Sequence, residues 1–141
     1  MTVRGDIPIQ GECSGPALTG NVLPILAEMR YALEKLVSTG ESTVIDLRAL
    51  PFAPGDEEEL FLHLGRGEVS AELRALGTSR IWETSFPGVW IVDHADAEGE
   101  RLALQIEIAE VPTLLRSQPE DMREALERLQ RQLKSLGRDE E

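Results

Sequence analysis

From Gly67 to Ala109 the period of the chain changes to two, and this alternation constrains the fold more than any other feature of the chain. In "EVSAEL", Val69, Ala71 and Leu73 share one side. In "RLALQIEIA", Leu102, Leu104, Ile106 and Ile108 share one side, with Arg101, Gln105 and Glu107 opposite. A period of two is that of a strand with one face against a core. Between these segments, "SRIWETSF" and "VWIVDH" flank Pro87-Gly88, a pair suited to a tight antiparallel connection. "ADAEGE" links the last two strands as a polar loop.

A two-residue turn at Pro87-Gly88 predicts the pairs Phe86–Val89, Thr84–Ile91 and Trp82–Asp93 on one side of the sheet. It puts Ser85–Trp90, Glu83–Val92 and Ile81–His94 on the other. The first side is mostly apolar. The second mixes Ile81, Trp90 and Val92 with Glu83, Ser85 and His94. That mixture fits a protein-docking face with a tryptophan at its centre. It equally fits a Trp90 covered by a helix, and the residues leave both open.

On either side of the alternating region the period is helical. After Asn21, a candidate cap, Val22, Leu26, Met29, Leu33 and Leu36 recur at 4-3-4-3 spacing as far as Gly40. "STVIDL" at 42–47 reads as a short buried strand. "DEEELFLHLG" reads as a short helix with Asp56 as cap, Glu59 as its capping-box partner, and Leu60, Phe61 and Leu64 inward. Its acidic run is accounted for by helix-start chemistry rather than by a metal. Ser117 and Glu120 offer another capping box, and Met122, Leu126, Leu129, Leu133 and Leu136 form the stripe of a last helix ended by Gly137. The expected fold is α+β: an antiparallel meander sheet with about three helices packed on one face. Its core should hold Leu26, Met29, Leu33, Ile45, Leu102, Leu104, Ile106, Leu126, Leu129 and Leu133. The organisation read from the chain is a flexible lead-in over 1–20, one domain over 21–137 and a tail over 138–141.

Composition narrows the function. The net charge of −12 is spread evenly, with 5 basic against 11 acidic residues in 1–70 and 9 against 15 in 71–141, −6 in each half. Such a chain releases no counterions from phosphate, which argues against nucleic acid and against an anionic membrane surface. Basic segments of other proteins are the partners its charge favours. Cys13 is the single cysteine, so an internal disulfide and a cysteine metal cluster are excluded. There is no phosphate-binding glycine loop and no C-x-x-C. His63 and His94 are too few for a histidine-rich metal site, so no cofactor and no metal are expected. The first twenty residues lack a long apolar run, which points to the cytoplasm. Glu83 and His94 could form an acid/base pair in principle, yet no nucleophile or oxyanion donor is signalled beside them. No catalytic residue is therefore assigned.

Several stretches resemble a known family. They are "LPILAEMRYALEKLVSTGESTVIDLRALPFAPGDEEEL", "LGRGEVSAELRALGTSRIWETSFPGVWIVDHADAEGE" and "IEIAEVPTLLRSQPEDMREALERL". Over roughly 22–136 the chain is similar to the conserved C-terminal region of the HupH/HyaF hydrogenase expression proteins. The most specific pieces are "LGRGEVSAEL", "ETSFPGVWIVDH" and "QPEDM". The resemblance implies a cytoplasmic maturation chaperone or assembly factor for [NiFe] hydrogenase, not an enzyme and without a cofactor of its own. It would bind a hydrogenase small-subunit precursor before export, alongside other maturation factors. The resemblance carries no catalytic residues, and marks only Gly65, Gly67, Glu68, Glu83, Pro87, Gly88, Trp90 and His94 as motif positions. Many members are about twice as long, so the expectation is a C-terminal module standing alone. Combining motif and hairpin, the expected protein-binding residues are Glu83, Phe86, Pro87, Gly88, Trp90 and His94. Two other classes stay open: a homo-oligomeric adaptor joined through sheet edges, and a small enzyme using Glu83, Asp93 or His94.

Overall fold

The computed structural model describes residues 20–137, so Cys13, nearly all of the expected lead-in and the tail over 138–141 lie outside the described residues. The chain divides into two compact units, one ending at Glu110 and the other beginning at Val111.

The first unit is built on a five-stranded antiparallel sheet. Its strands are β1 (Thr43–Asp46), β2 (Ser70–Arg74), β3 (Thr78–Glu83), β4 (Val89–Ala95) and β5 (Arg101–Ile108), in the spatial order β1-β5-β4-β3-β2. Strands β2 to β5 form the expected meander, and β1 closes it against β5 with Ile45 opposite Ile106. One face carries Ile45, Val89, Ile91, Leu104, Ile106 and Ile108. These pack with Val22, Ile25, Met29 and Ala32 of helix α1 (Val22–Thr39) and with Leu60 and Leu64 of helix α2 (Pro54–Leu64). Ile91, Ile106, Ile108 and Leu60 are fully buried. At about 25 cal/mol per Å² of apolar surface, this is where most of the unit's stability arises.

The helix boundaries have local causes. Asn21 is the N-cap of α1 as expected, but its side chain makes no cap bond; its amide donates to the Pro51 carbonyl at 2.8 Å. Gly40 ends α1 at φ +79°, a conformation that costs a side-chain-bearing residue about 1–2 kcal/mol. Helix α2 begins at Pro54 with Ala53 as its cap, three residues earlier than the expected Asp56 cap, because Pro suits the first turn of a helix. Asp56 is therefore the third helical residue, not the cap. Fully buried, it reaches back to accept the Ala53 N–H at 3.0 Å.

Three expected core residues are exposed: Leu102 on β5, and Leu126 and Leu129 in the second unit. Leu102 is 62% exposed. A register irregularity at His94/Ala95 sets Ala95 opposite Arg101 and His94 opposite Ala103, leaving Leu102 without a cross-strand partner. A bulge of this kind re-aims the side chains around it. Leu102 turns to solvent, and Arg101 takes the position on the helix-bearing side.

The second unit holds a short 3-10 turn (Thr113–Leu115) and helix α3 (Pro119–Ser135). Its N-cap is Gln118 with Pro119 at the first position, so the expected Ser117 box does not form. The stripe is helical as expected, but it is not core. Met122, Leu126 and Leu129 are each more than half exposed, and Leu133 is only partly buried.

Candidate functional site

The hairpin β3–β4 is the centre of the motif region, and its register differs from the expected one by two residues. Glu83 pairs with Trp90, Trp82 with Ile91, and Ile81 with Val92. An even slip preserves the sides, so the helix-bearing and opposite faces keep the residues read from the alternation. The connection runs over 84–88. Phe86, Pro87, Gly88 and Val89 form a turn closed by the Val89 N–H on the Phe86 carbonyl at 3.0 Å, with Gly88 at φ +92°. That positive φ at the third position is the type II arrangement, whose twist splays the strands instead of continuing their ladder. Thr84, buried, fills the resulting gap. Its hydroxyl accepts the Phe86 N–H at 3.1 Å and donates to the Val89 carbonyl at 2.9 Å.

The motif glycines lock this hairpin to its surroundings. Gly67 N–H donates to the Glu83 carbonyl at 2.7 Å, and a Cβ at Gly67 would lie 2.6 Å from the Thr84 carbonyl oxygen. Only glycine allows that approach. Ser85 donates twice to the Leu64 carbonyl at the end of α2, from N–H at 2.8 Å and from Oγ at 2.7 Å. The Gly88 carbonyl accepts the Ala109 N–H at 2.9 Å at the end of β5. Gly65, Gly67, Ser85 and Gly88 are thus architecture for the corner.

Trp90 is buried, with 6% of its surface exposed, and its indole N–H donates to the Ala109 carbonyl at 3.1 Å. Trp90 is therefore not the exposed centre of a docking face. Within the hairpin the exposed aromatic is Phe86, 46% exposed at the tip beside exposed Pro87. Phe86 and Val89 close one wall of an apolar groove of about 270 Å³, whose other wall is Leu26, Met29, Arg30 and Leu33 of α1. The α1 stripe marked Leu26 and Leu33 as apolar in the sequence, but only the structure shows that they are partly buried and line this groove.

The residues of the enzymatic alternative are not assembled. His94 pairs with Ser79, and its Nδ1 lies 2.7 Å from Ser79 Oγ. Glu83 pairs with Trp90, four residues along the strand from His94, so the two are about 13 Å apart at ~3.3 Å per residue. Asp93 lies on the opposite face, held by Arg101: Nε to Oδ1 at 3.1 Å and a terminal nitrogen to Oδ2 at 3.2 Å. The same guanidinium reaches Glu57 of α2 at 3.0 Å. The Arg101 pKa is pushed further above its ordinary value, first by the hydrogen bond to Asp93 and then by that to Glu57. Among the described residues, no group of three or more His, Cys, Asp or Glu side chains is placed to hold a metal ion.

The second tryptophan has the more exposed position. Trp82 is partly buried, edge-on to Phe61 at 5.9 Å and 86°, with the Arg66 guanidinium carbon 4.7 Å from its ring centre.

Comparison with known proteins places this arrangement. A family model described as HupH hydrogenase expression protein, C-terminal conserved region, matches residues 19–136. The hydrogenase expression/formation protein HoxQ of Azotobacter vinelandii is 30% identical over 111 residues, which is 77% of this chain and 39% of the relative. HoxQ of Cupriavidus necator is 33% identical, covering 83% of this chain and 42% of the relative. The chain thus spans about two-fifths of the length of these relatives. A solved structure of the hydrogenase expression protein HupH from Thiobacillus denitrificans superposes with a TM-score of 0.80 at 44% identity, covering 84% of this chain and 99% of that one. The corner built by Gly65, Gly67, Ser85 and the Pro87-Gly88 turn therefore belongs to a chain of the HupH hydrogenase expression protein family, matched through its C-terminal conserved region.

Proposed function

We propose that this chain is an accessory factor in hydrogenase formation that binds a hydrogenase precursor, the iron–sulphur small subunit before its export, without catalysing a reaction. The observation that carries this reading is the 44% identity to a hydrogenase expression protein over 99% of that chain. The groove between the hairpin tip and α1 supplies a fitting surface. It is apolar, it is rimmed by Arg30, and it presents Phe86 on a turn fixed by glycine and Thr84. An aromatic on a rigid turn contributes contact area at little cost in conformational entropy. A protein segment offering one or two apolar side chains is the partner such a groove fits. The surrounding charge of −12 would add attraction to a basic export signal.

In this reading the protein acts in the cytoplasm, where the precursor is made, and needs no cofactor. Among the described residues no helix is long and apolar enough to cross a membrane. The test is capture of the tagged small-subunit precursor by the purified chain. Retention of the precursor, weakened as salt approaches ~0.5 M where screening shortens to a few ångströms, supports the reading. Failure to retain it in low salt, while other hydrogenase precursors are also ignored, contradicts it.

A second reading, self-association, has one observation in its favour. The α3 stripe of Met122, Leu126 and Leu129 is exposed at heptad spacing, flanked by Arg123, Ala125, Gln130 and Gln132. Sedimentation as a dimer that Leu126→Glu dissolves supports it; a monomer at all concentrations contradicts it.

A further inference from the structure

The helix-bearing face of the sheet is not covered along its whole width. Its buried residues run from Ile45 on β1 to Ile91 on β4, while Ser70, Glu72 and Arg80 on β2 and β3 are exposed. Over this end lies a groove of about 550 Å³ lined by Arg66, Ser70, Glu72, Arg80, Trp82 and Asp93 among others. Its two acids are already engaged: Asp93 by two of the three nitrogens of Arg101, and Glu72 by Arg74 Nε at 3.4 Å. Its two arginines are not. Among the described residues, neither Arg66 nor Arg80 has a carboxylate within 4.0 Å, in a chain that carries 26 acidic residues. Arg66 stacks over the Trp82 ring, is exposed, and lines the groove.

The groove borders a sheet edge. β2 is the terminal strand, and the Glu83 N–H donates to the Val69 carbonyl at 2.9 Å. By the alternation of an antiparallel ladder, the main-chain groups of Ser70, Glu72 and Arg74 then point away from β3, toward the open side. An edge of this kind is a template for a further strand, and charged side chains along it exclude indiscriminate pairing.

We propose that this groove binds an extended segment of a partner protein, which pairs with the free edge of β2 and places an acidic side chain between Arg66 and Arg80. Charge complementarity selects the partner: the uncommitted charges in the groove are both positive, and a carboxylate matches the fork of each guanidinium. The strand ladder supplies sequence-independent affinity, and the arginine pair supplies the preference for acid at alternate positions. This surface stands apart from the Phe86 groove and does not depend on the hydrogenase reading.

Fluorescence anisotropy on the full chain tests it, with a short labelled peptide alternating valine and glutamate as probe and its valine–lysine counterpart as control. The glutamate peptide binds and the lysine peptide does not. Each of Arg66→Ala and Arg80→Ala weakens binding by up to about fivefold, the upper range for an exposed ion pair. The double reversal Arg66→Glu/Arg80→Glu transfers the preference to the lysine peptide. Glu72→Pro removes an outward N–H without touching the β3 ladder, so it abolishes binding while the melting temperature holds, even though it also removes a negative charge. Equal binding of the two peptides, or none of either, overturns the proposal. So does a glutamate peptide that still binds the Glu72→Pro protein, or that phosphate or citrate displaces stoichiometrically, since either result marks a small-anion site and not a strand-docking one.

Discussion

Arg101 holds both carboxylate oxygens of Asp93, at 3.1 and 3.2 Å, from the position the alternation reserves for the other face. The bulge at His94/Ala95 makes this possible, and the third nitrogen ties the sheet to Glu57 on α2. Arg101→Met should lower stability by about 1–2 kcal/mol, the range for charge-assisted hydrogen bonds discounted for solvent screening. The guanidinium side chain is 36% exposed, which is why the upper end is not expected. A double-mutant cycle with Asp93→Asn, read by urea denaturation, isolates the pair. The sign of any pH effect follows from the raised pKa of Arg101. Its stabilisation is complete below the unfolded arginine value and lost only as pH rises through the higher folded value. The coupling should therefore stay constant from neutral into moderately alkaline solution.

Gly67→Ala should destabilise the fold by about 1–3 kcal/mol, because the new methyl meets a backbone carbonyl at 2.6 Å and neither chain segment can yield alone. Thermal melting of the variant checks this. Gly99→Ala, where nothing lies within 4 Å but φ is +86°, carries backbone strain without a clash, the reverse of Gly67, and should cost less.

Trp90→Ala should lower the melting temperature without selectively impairing precursor capture. Removing a large buried side chain costs roughly 3–5 kcal/mol, and the Ala109 carbonyl would lose its indole donor. Calorimetry and capture measured on the same sample, well below the transition, separate the two effects.

What the residues disclosed and what they concealed have physical reasons. The strand faces survived a wrong register because an error of two residues leaves every side chain on its side. Pro87-Gly88 announced the turn, but not that Thr84 would bridge the gap that a type II geometry opens. Leu102 looked like core because alternation is a local pattern, whereas the bulge that expels it depends on two strands distant in sequence. The α3 stripe has the spacing of a buried helix, and spacing alone does not say which surface it meets. Trp90 drew the docking expectation to itself because a tryptophan amid polar neighbours looks the same in sequence whether covered or bare. Of the hairpin aromatics among the expected binding residues, Phe86 is the exposed one and Trp90 the buried one.

The central claim is that the Phe86 tip groove, not Trp90 or an acid/base pair, engages the hydrogenase precursor. The most direct measurement is the dissociation constant of the small-subunit precursor for Phe86→Asp against the unmodified chain, with melting temperatures recorded for both. Phe86 is 46% exposed, so the melting temperature should be nearly unchanged, while affinity falls thirtyfold or more, matching the ~2 kcal/mol of an aromatic anchor. A stable Phe86→Asp protein that binds the precursor as tightly as the unmodified chain would contradict the account.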